Sequence, residues 1–258
     1  MQTFLADPFL GALNRLGLRL PDGARILDFG CGKGALVYQL RDMGFDAYGF
    51  DLAPLAELRR PEDAHLFVAV ERDKPFWDVR AENSEMTTPF APASFDAILS
   101  SEMIEHCFPL DGVMRECARL LKPDGVCLHV YPSINSLIEP HILVPLASRI
   151  YFKPWLRLWA WLGVRNTYQH GLDIAEVVRL NRNFFDHGVI YRSDRAIRQV
   201  AGRHFDEVKM ASEEYNGDVP WGERLRRIRE ALAGENKLQA LVLLDRQSAL
   251  MARGPRVA

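Results

Sequence analysis

Apolar residues recur along this chain with two periods, and the alternation between them predicts layers of strand and helix. Short, nearly continuous apolar runs at Arg25 to Phe29, Ala47 to Phe50, Asp96 to Ser100 and Val126 to Val130 read as buried strands. Phe4 to Leu16 and Ala35 to Met43 instead place apolar side chains three and four residues apart, as a helix does. A third such segment, capped by Asp111, turns Val113, Cys117, Leu120 and Leu121 inward. Pro21-Asp-Gly23 turns the chain into the first strand, and Gly44 ends the helix before the second. Strands alternating with helices imply a parallel sheet.

Two regions break the alternation. Between residues 53 and 76, Leu55 to Arg60 reads as helical and Leu66 to Val70 as extended, with Pro61 and Pro75 as punctuation. This region is expected to be the second crossover plus an insertion, with the third strand at Trp77 to Arg80. After Tyr131 and Pro132 the pattern stops again, and residues 133–190, with prolines at 140, 145 and 154 and several aromatics, read as a helical insertion on the substrate side. Phe205 to Met210 and Ser248 to Ala252 are expected as the last strands, with a helix at Trp221 to Ala233 between them. The whole chain, 1–258, is read as one domain with a core at 22–132, the insertion, and a C-terminal part at 191–258 that completes the sheet.

Composition narrows the function classes. A 258-residue chain that is 48% hydrophobic can bury a substantial core, and its formal charge of −2 lacks the basic excess of a nucleic-acid binder. Cys31, Cys107, Cys117 and Cys127 have neither zinc-finger spacing nor the density of a disulfide scaffold, so they read as reduced, cytosolic thiols. No secretory signal pattern is apparent. Residues 149–165 interleave Arg149, Lys153, Arg157 and Arg165 with Tyr151, Phe152, Trp155, Trp159 and Trp161. Such a segment suits either a lid packed on the sheet domain or peripheral contact with the inner membrane face, and it is too charged to span a bilayer.

The most informative chemistry is the run Ile26-Leu-Asp-Phe-Gly-Cys-Gly-Lys-Gly34, a strand entering a three-glycine turn that opens a helix. Glycines there allow close main-chain approach to a ligand, and Asp28 is carried to the strand's end. Asp51, ending the next strand, is placed to accept both ribose hydroxyls of a nucleoside or dinucleotide.

Further segments separate these two alternatives. Leu27-Asp-Phe-Gly-Cys-Gly-Lys-Gly34, Gly49-Phe-Asp51, Pro89-Phe-Ala-Pro-Ala-Ser-Phe-Asp96 and Arg119-Leu-Leu-Lys-Pro-Asp-Gly125 resemble the class I S-adenosylmethionine-dependent methyltransferases over residues 22–132. Asp124 stands where that family usually has a second glycine. The resemblance implies a Rossmann-like, doubly wound α/β fold with a mostly parallel seven-stranded sheet whose terminal strands are antiparallel. It implies S-adenosylmethionine as cofactor. Gly30, Cys31 and Gly32 would face its amino-acid end and Asp28 its ammonium. Asp51 would take the ribose and Leu52 the adenine face. Glu82, or else Asn83, would receive the adenine amino group, with Asp78 as the alternative register, and Ser100 to Glu102, including Ser101, would lie beside the methionine portion.

A second constellation is Ser100-Ser-Glu-Met-Ile-Glu-His-Cys107. If a helix begins there, Glu102, Glu105 and His106 share one face and could hold magnesium, manganese, zinc or iron(II). Glu-x-x-Glu-His is similar to the metal-binding segment of ubiquinone-biosynthesis O-methyltransferases and small-RNA 2′-O-methyltransferases. His141 in Glu139-Pro-His141 is the leading fourth ligand, ahead of His129 and His170. His106, beside Glu105, is the candidate catalytic base in the absence of a metal; as a ligand it would leave the proton to His170 or Tyr168. The expected acceptor is a hydroxyl on a polar small molecule or glycan, with a quinone-like or lipid-linked acceptor as the alternative. A non-catalytic, S-adenosylmethionine-binding regulatory protein is the alternative from a different functional class.

Overall fold

A computed structural model of the protein describes residues 6–51, 61–69, 87–108, 110–217 and 247–256. Its centre is a seven-stranded sheet comprising β1 (Arg25–Phe29), β2 (Asp46–Asp51), β3 (Phe67–Ala69), β4 (Phe95–Ser101), β5 (Leu121–Tyr131), β6 (Phe205–Met210) and β7 (Ser248–Pro255). The spatial order is β3-β2-β1-β4-β5-β7-β6, and only β7 runs antiparallel to its neighbours. The order reverses beside β1, so the ends of β1 and β4 flank the crevice where such sheets bind ligands.

Alternation along the strands divides the core in two. Ile26 and Leu99 point to the side covered by α1 (Ala6–Arg15) and α2 (Ala35–Asp42), where Phe9, Leu13, Val37 and Leu40 meet them. Leu27 and Ile98 point to the side covered by α3 (Leu110–Leu120) and α6 (Asp194–Ala201), against Val113, Cys117 and Ile197. The insertion carries α4 (Lys153–Trp161) and α5 (Ile174–Asn183), whose apolar residues form a third cluster around Leu156, Val144 and Phe185. A short α7 (Ser212–Asn216) follows β6.

Several sequence expectations change. The extended stretch at 66–70 is not part of an insertion: Phe67–Ala69 pairs with Gly49 to Asp51 and is the sheet's third strand. The segments 55–60, 77–80 and 221–233 lie outside the described residues. Asp111 sits inside the first turn of α3 instead of capping it, and its carboxylate accepts from Arg203 Nη1 and His204 Nε2, each at 3.1 Å. β5 begins at Leu121, because pairing with β4 jumps from Leu121 to Val126 and Lys122 to Gly125 form a bulge. That bulge is tied down: Lys122 Nζ donates to both oxygens of Asp96 at 2.8 Å, and Asp96 accepts the Arg25 amide at 2.8 Å. The Ser-Phe-Asp and Leu-Lys-Pro-Asp-Gly segments therefore brace three interior strands at the end of the sheet where β1 begins.

Candidate active site

The glycine turn is built for close packing. Gly30 (φ 91°) and Gly34 (φ 78°) adopt backbone that side chains rarely take, and a Cβ would stand 2.7 Å from Met103 Cγ at the first and 2.5 Å from Phe67 Cζ at the second. The Gly30 and Cys31 amides both donate to Phe50 O, at 2.8 and 3.1 Å, which joins the ends of β1 and β2. The Gly32 amide donates to Asp51 Oδ2 at 2.6 Å, so the acid expected at the ribose is fixed against the turn. The Cys31 side chain is buried, with its sulfur 2.7 Å from where a Cβ on Gly49 would lie, so this residue offers the turn its backbone and not its thiol. Asp28 is buried behind it, and burial, reinforced by the charge of Asp51, pushes its carboxyl up to about 8. Leu52, Glu82, Asn83 and Asp78 lie outside the described residues. The register that selected Glu82 assumed a third strand at 77–80, whereas the strand in that place ends at Ala69.

Beyond β4 the chain forms one 3-10 turn, Ile104–His106, instead of the expected helix. Glu102 precedes it with φ 52°, an uncommon left-handed conformation for a side-chain-bearing residue, and Cys107 is already extended. Glu102 Oε1 accepts from Gln247 Nε2 at 3.4 Å, and its carboxylate lies outside the group that converges. Three of the four expected ligands do converge: one ligand atom from each of Glu105, His106 and His141 lies within 4.8 Å of the other two. Ser101 ends β4 just before Glu102.

Each histidine is fixed through one nitrogen. His106 Nδ1 donates to Gly188 O at 2.6 Å and His141 Nδ1 donates to Glu139 Oε1 at 2.8 Å, which leaves Nε2 as the nitrogen able to take a cation or proton. The rings meet edge to face with centroids 5.2 Å apart, and Phe184 lies 5.0 Å from His141. Glu105 is 3% exposed, and neither of its oxygens has a hydrogen-bond partner among the described residues. His106 Nε2 stands 3.8 Å from Glu105 Oε1. Burial, with the charges of Glu102 and Glu139, pushes the Glu105 carboxyl up to about 8, against the pull of His141. Burial also lowers His106, whereas at His141 the bond and charge of Glu139 overcome burial and raise the imidazole to about 9. An orphaned buried carboxylate between two oriented imidazoles fits a divalent cation, because burying such a charge without a partner costs several kcal/mol.

Sequence reasoning did not assign roles to Glu139, Phe184, Gly188 or Tyr191. Glu139 was visible only as the neighbour of His141, and the others lie far along the insertion with no motif of their own. His129 does not join the site. It is buried in β5, with Nδ1 2.8 Å from Ser100 Oγ, and clusters with Cys117 and Cys127 in the core. His170 and Tyr168 are exposed on the insertion.

The sheet order and the glycine turn are those of the class I methyltransferase fold, the fold of enzymes that use S-adenosylmethionine. The chain belongs to the methyltransferase-domain family, whose profile matches residues 1–184. It is 38% identical over 104 residues to a ubiquinone biosynthesis O-methyltransferase of Xanthomonas oryzae pv. oryzae, a match covering 40% of this chain and 41% of that relative. Among solved structures, phosphoethanolamine N-methyltransferase 2 of Haemonchus contortus, bound to phosphomonomethylethanolamine and S-adenosylhomocysteine, aligns with TM-score 0.50 at 18% identity, covering 96% of this chain and 52% of that one. PKMT2 of Rickettsia typhi aligns with TM-score 0.50 at 15% identity, over 97% and 53% of the two chains. These two similarities are of fold.

Proposed function

We propose that the protein transfers a methyl group from S-adenosylmethionine to a hydroxyl of an aromatic, quinone-like acceptor, with a divalent cation held by Glu105, His106 and His141. The observation that carries the reading is the unpartnered Glu105 carboxylate facing two imidazoles whose other nitrogens are already fixed. The curated relative named above supports oxygen as the methylated atom.

The donor's sulfonium supplies an activated methyl group, and a cation supplies Lewis acidity that lowers the pKa of a neighbouring hydroxyl. The chain's own residues supply position and charge. Asp28 and Asp51, at the ends of β1 and β2, favour the donor's ammonium and ribose hydroxyls. Glu105 sets a negative charge beside the acceptor hydroxyl, and His106 and His141 present Nε2 from fixed rings. A reaction that needs no cation would instead leave the proton to His106, whose burial favours the neutral imidazole and whose Nδ1 is fixed by Gly188.

The acceptor is better matched to a lipophilic ring than to a glycan. Leu137, Phe152, Leu158, Trp161, Leu162 and Tyr168 are all exposed, and all lie on the insertion. The same observation favours peripheral contact with an anionic bilayer, since Arg149, Lys153 and Arg157 accompany these side chains. No helix among the described residues is long and apolar enough to cross a membrane.

The test is methyl transfer from labelled S-adenosylmethionine to an ortho-dihydroxybenzene. The reading expects a monomethyl ether, loss of turnover on chelation and recovery with Mg2+ or Mn2+. Turnover that survives complete removal of metal would overturn the metal-assisted part, and methylation confined to nitrogen acceptors would overturn the choice of oxygen.

A further inference from the structure

Glu139 does not belong to the converging ligand group, yet it is completely buried and its carboxylate accepts four hydrogen bonds. Its Oε2 accepts the amides of His141 and Ile142 at 2.9 and 2.7 Å. Its Oε1 accepts His141 Nδ1 at 2.8 Å and also the Tyr191 hydroxyl. The surrounding loop is shaped to present this carboxylate: the Glu139 amide donates to Val144 O at 3.1 Å, Leu143 N returns to Glu139 O at 2.9 Å, and Leu143 takes φ 61° to close the turn. Tyr191 follows directly on the insertion, where Ile190 N donates to Glu105 O at 2.7 Å and Arg192 donates to Ile104 O and Cys107 O at 3.2 and 2.6 Å. One short segment therefore both straps the Glu105 turn and carries the hydroxyl that holds Glu139.

Resting on the metal-assisted reading above, we propose that Glu139 and Tyr191 form a positioning relay for His141: the carboxylate fixes the imidazole with its proton on Nδ1, and the tyrosine fixes the carboxylate. A neutral imidazole so held presents its Nε2 lone pair in one orientation, and a partner of this kind governs how well a histidine holds a metal. A carboxylate serving only the turn would need its two backbone bonds. The His141 and Tyr191 bonds go beyond that need and meet on one oxygen.

The test measures metal binding without turnover. Full-length protein is titrated with Co2+ by calorimetry and by visible absorption, for wild type, Glu139→Gln and Tyr191→Phe, with S-adenosylhomocysteine affinity as a control. Glu139→Gln is expected to weaken Co2+ about 10- to 100-fold and to change the ligand-field bands, Tyr191→Phe to weaken it less, and both to leave S-adenosylhomocysteine binding unchanged. Tyr191→Phe keeps the turn's backbone bonds, so it carries the test if Glu139→Gln does not fold. Wild-type Co2+ affinity and an unaltered spectrum in the folded variants would overturn the relay. A wild-type protein that binds no Co2+ would overturn the metal reading itself, a distinct outcome.

Discussion

His106 and His141 meet edge to face, 5.2 Å between ring centroids, although one follows β4 and the other lies in the insertion after β5. Each has Nδ1 committed to an acceptor, Gly188 O or Glu139 Oε1, so Nε2 is the nitrogen each can offer beside Glu105 once it carries no proton. This arrangement makes the first substitution decisive. His106→Ala is expected to lower turnover at least 100-fold while S-adenosylhomocysteine affinity, measured by calorimetry, stays within about twofold of wild type. Near wild-type turnover would remove His106 from the chemistry.

Asp51 predicts the opposite pattern. Its carboxylate is fixed at 2.6 Å by the Gly32 amide, where a ribose would lie across the strand ends. Asp51→Ala is expected to weaken S-adenosylhomocysteine binding about 10- to 100-fold, the roughly 1.5–3 kcal/mol of hydrogen bonds to a charged group. Unchanged affinity would separate this acid from the cofactor.

Asp28 predicts a pH dependence. Its carboxyl is raised from 3.8 to about 8, mainly by burial and then by Asp51. The folded protein therefore holds a proton that the unfolded chain has released, and this group's stabilisation falls as pH rises from about 4 to about 8. In ligand-free protein, the melting temperature of wild type relative to Asp28→Asn should drop across pH 5 to 8. A flat difference would contradict a raised carboxyl.

Gly34 tests the packing of the turn. Alanine there combines φ 78° with a Cβ 2.5 Å from the Phe67 ring. Left-handed strain of about 1–2 kcal/mol plus overpacking of about 1–3 kcal/mol should lower stability by about 2–5 kcal/mol in chemical denaturation. A loss under about 0.5 kcal/mol would mean that the turn relaxes freely.

The exposed side of α4 makes a prediction about surfaces. Trp161 and Leu158 are exposed while Leu156 and Ala160 on the same helix are buried, so the paired change Trp161→Ser and Leu158→Ser should leave folding intact. It should reduce flotation with anionic vesicles severalfold. Wild-type protein that does not float with such vesicles would end the membrane reading.

Much of this was legible in the sequence because buried strands are continuous apolar runs. β1 falls where the pattern places it, β2, β4 and β7 differ only at their ends, and β6, largely exposed and with no apolar run, coincides with an expected terminal strand. Leu66 to Val70 reads as extended, but its place as the sheet's third strand, β3, escaped, because three residues at a sheet edge carry no periodicity and Phe67 is recognisable as core only once it packs beside Gly34 and Gly49. At the site, residue chemistry singled out Glu105, His106 and His141, whereas Glu102, which helical spacing places with them, lies outside the converging group and follows a left-handed backbone instead of a helix. Gly188, Tyr191 and Arg192 reach the site through tertiary packing of the insertion, a relationship that no local pattern encodes.

The most direct test is anomalous diffraction from crystals grown with Mn2+ and S-adenosylhomocysteine. The expected result is a manganese peak bounded by Glu105, His106 and His141, beside a product cofactor lying across the ends of β1 and β2. Clear density for the cofactor with no manganese among those three side chains would contradict it.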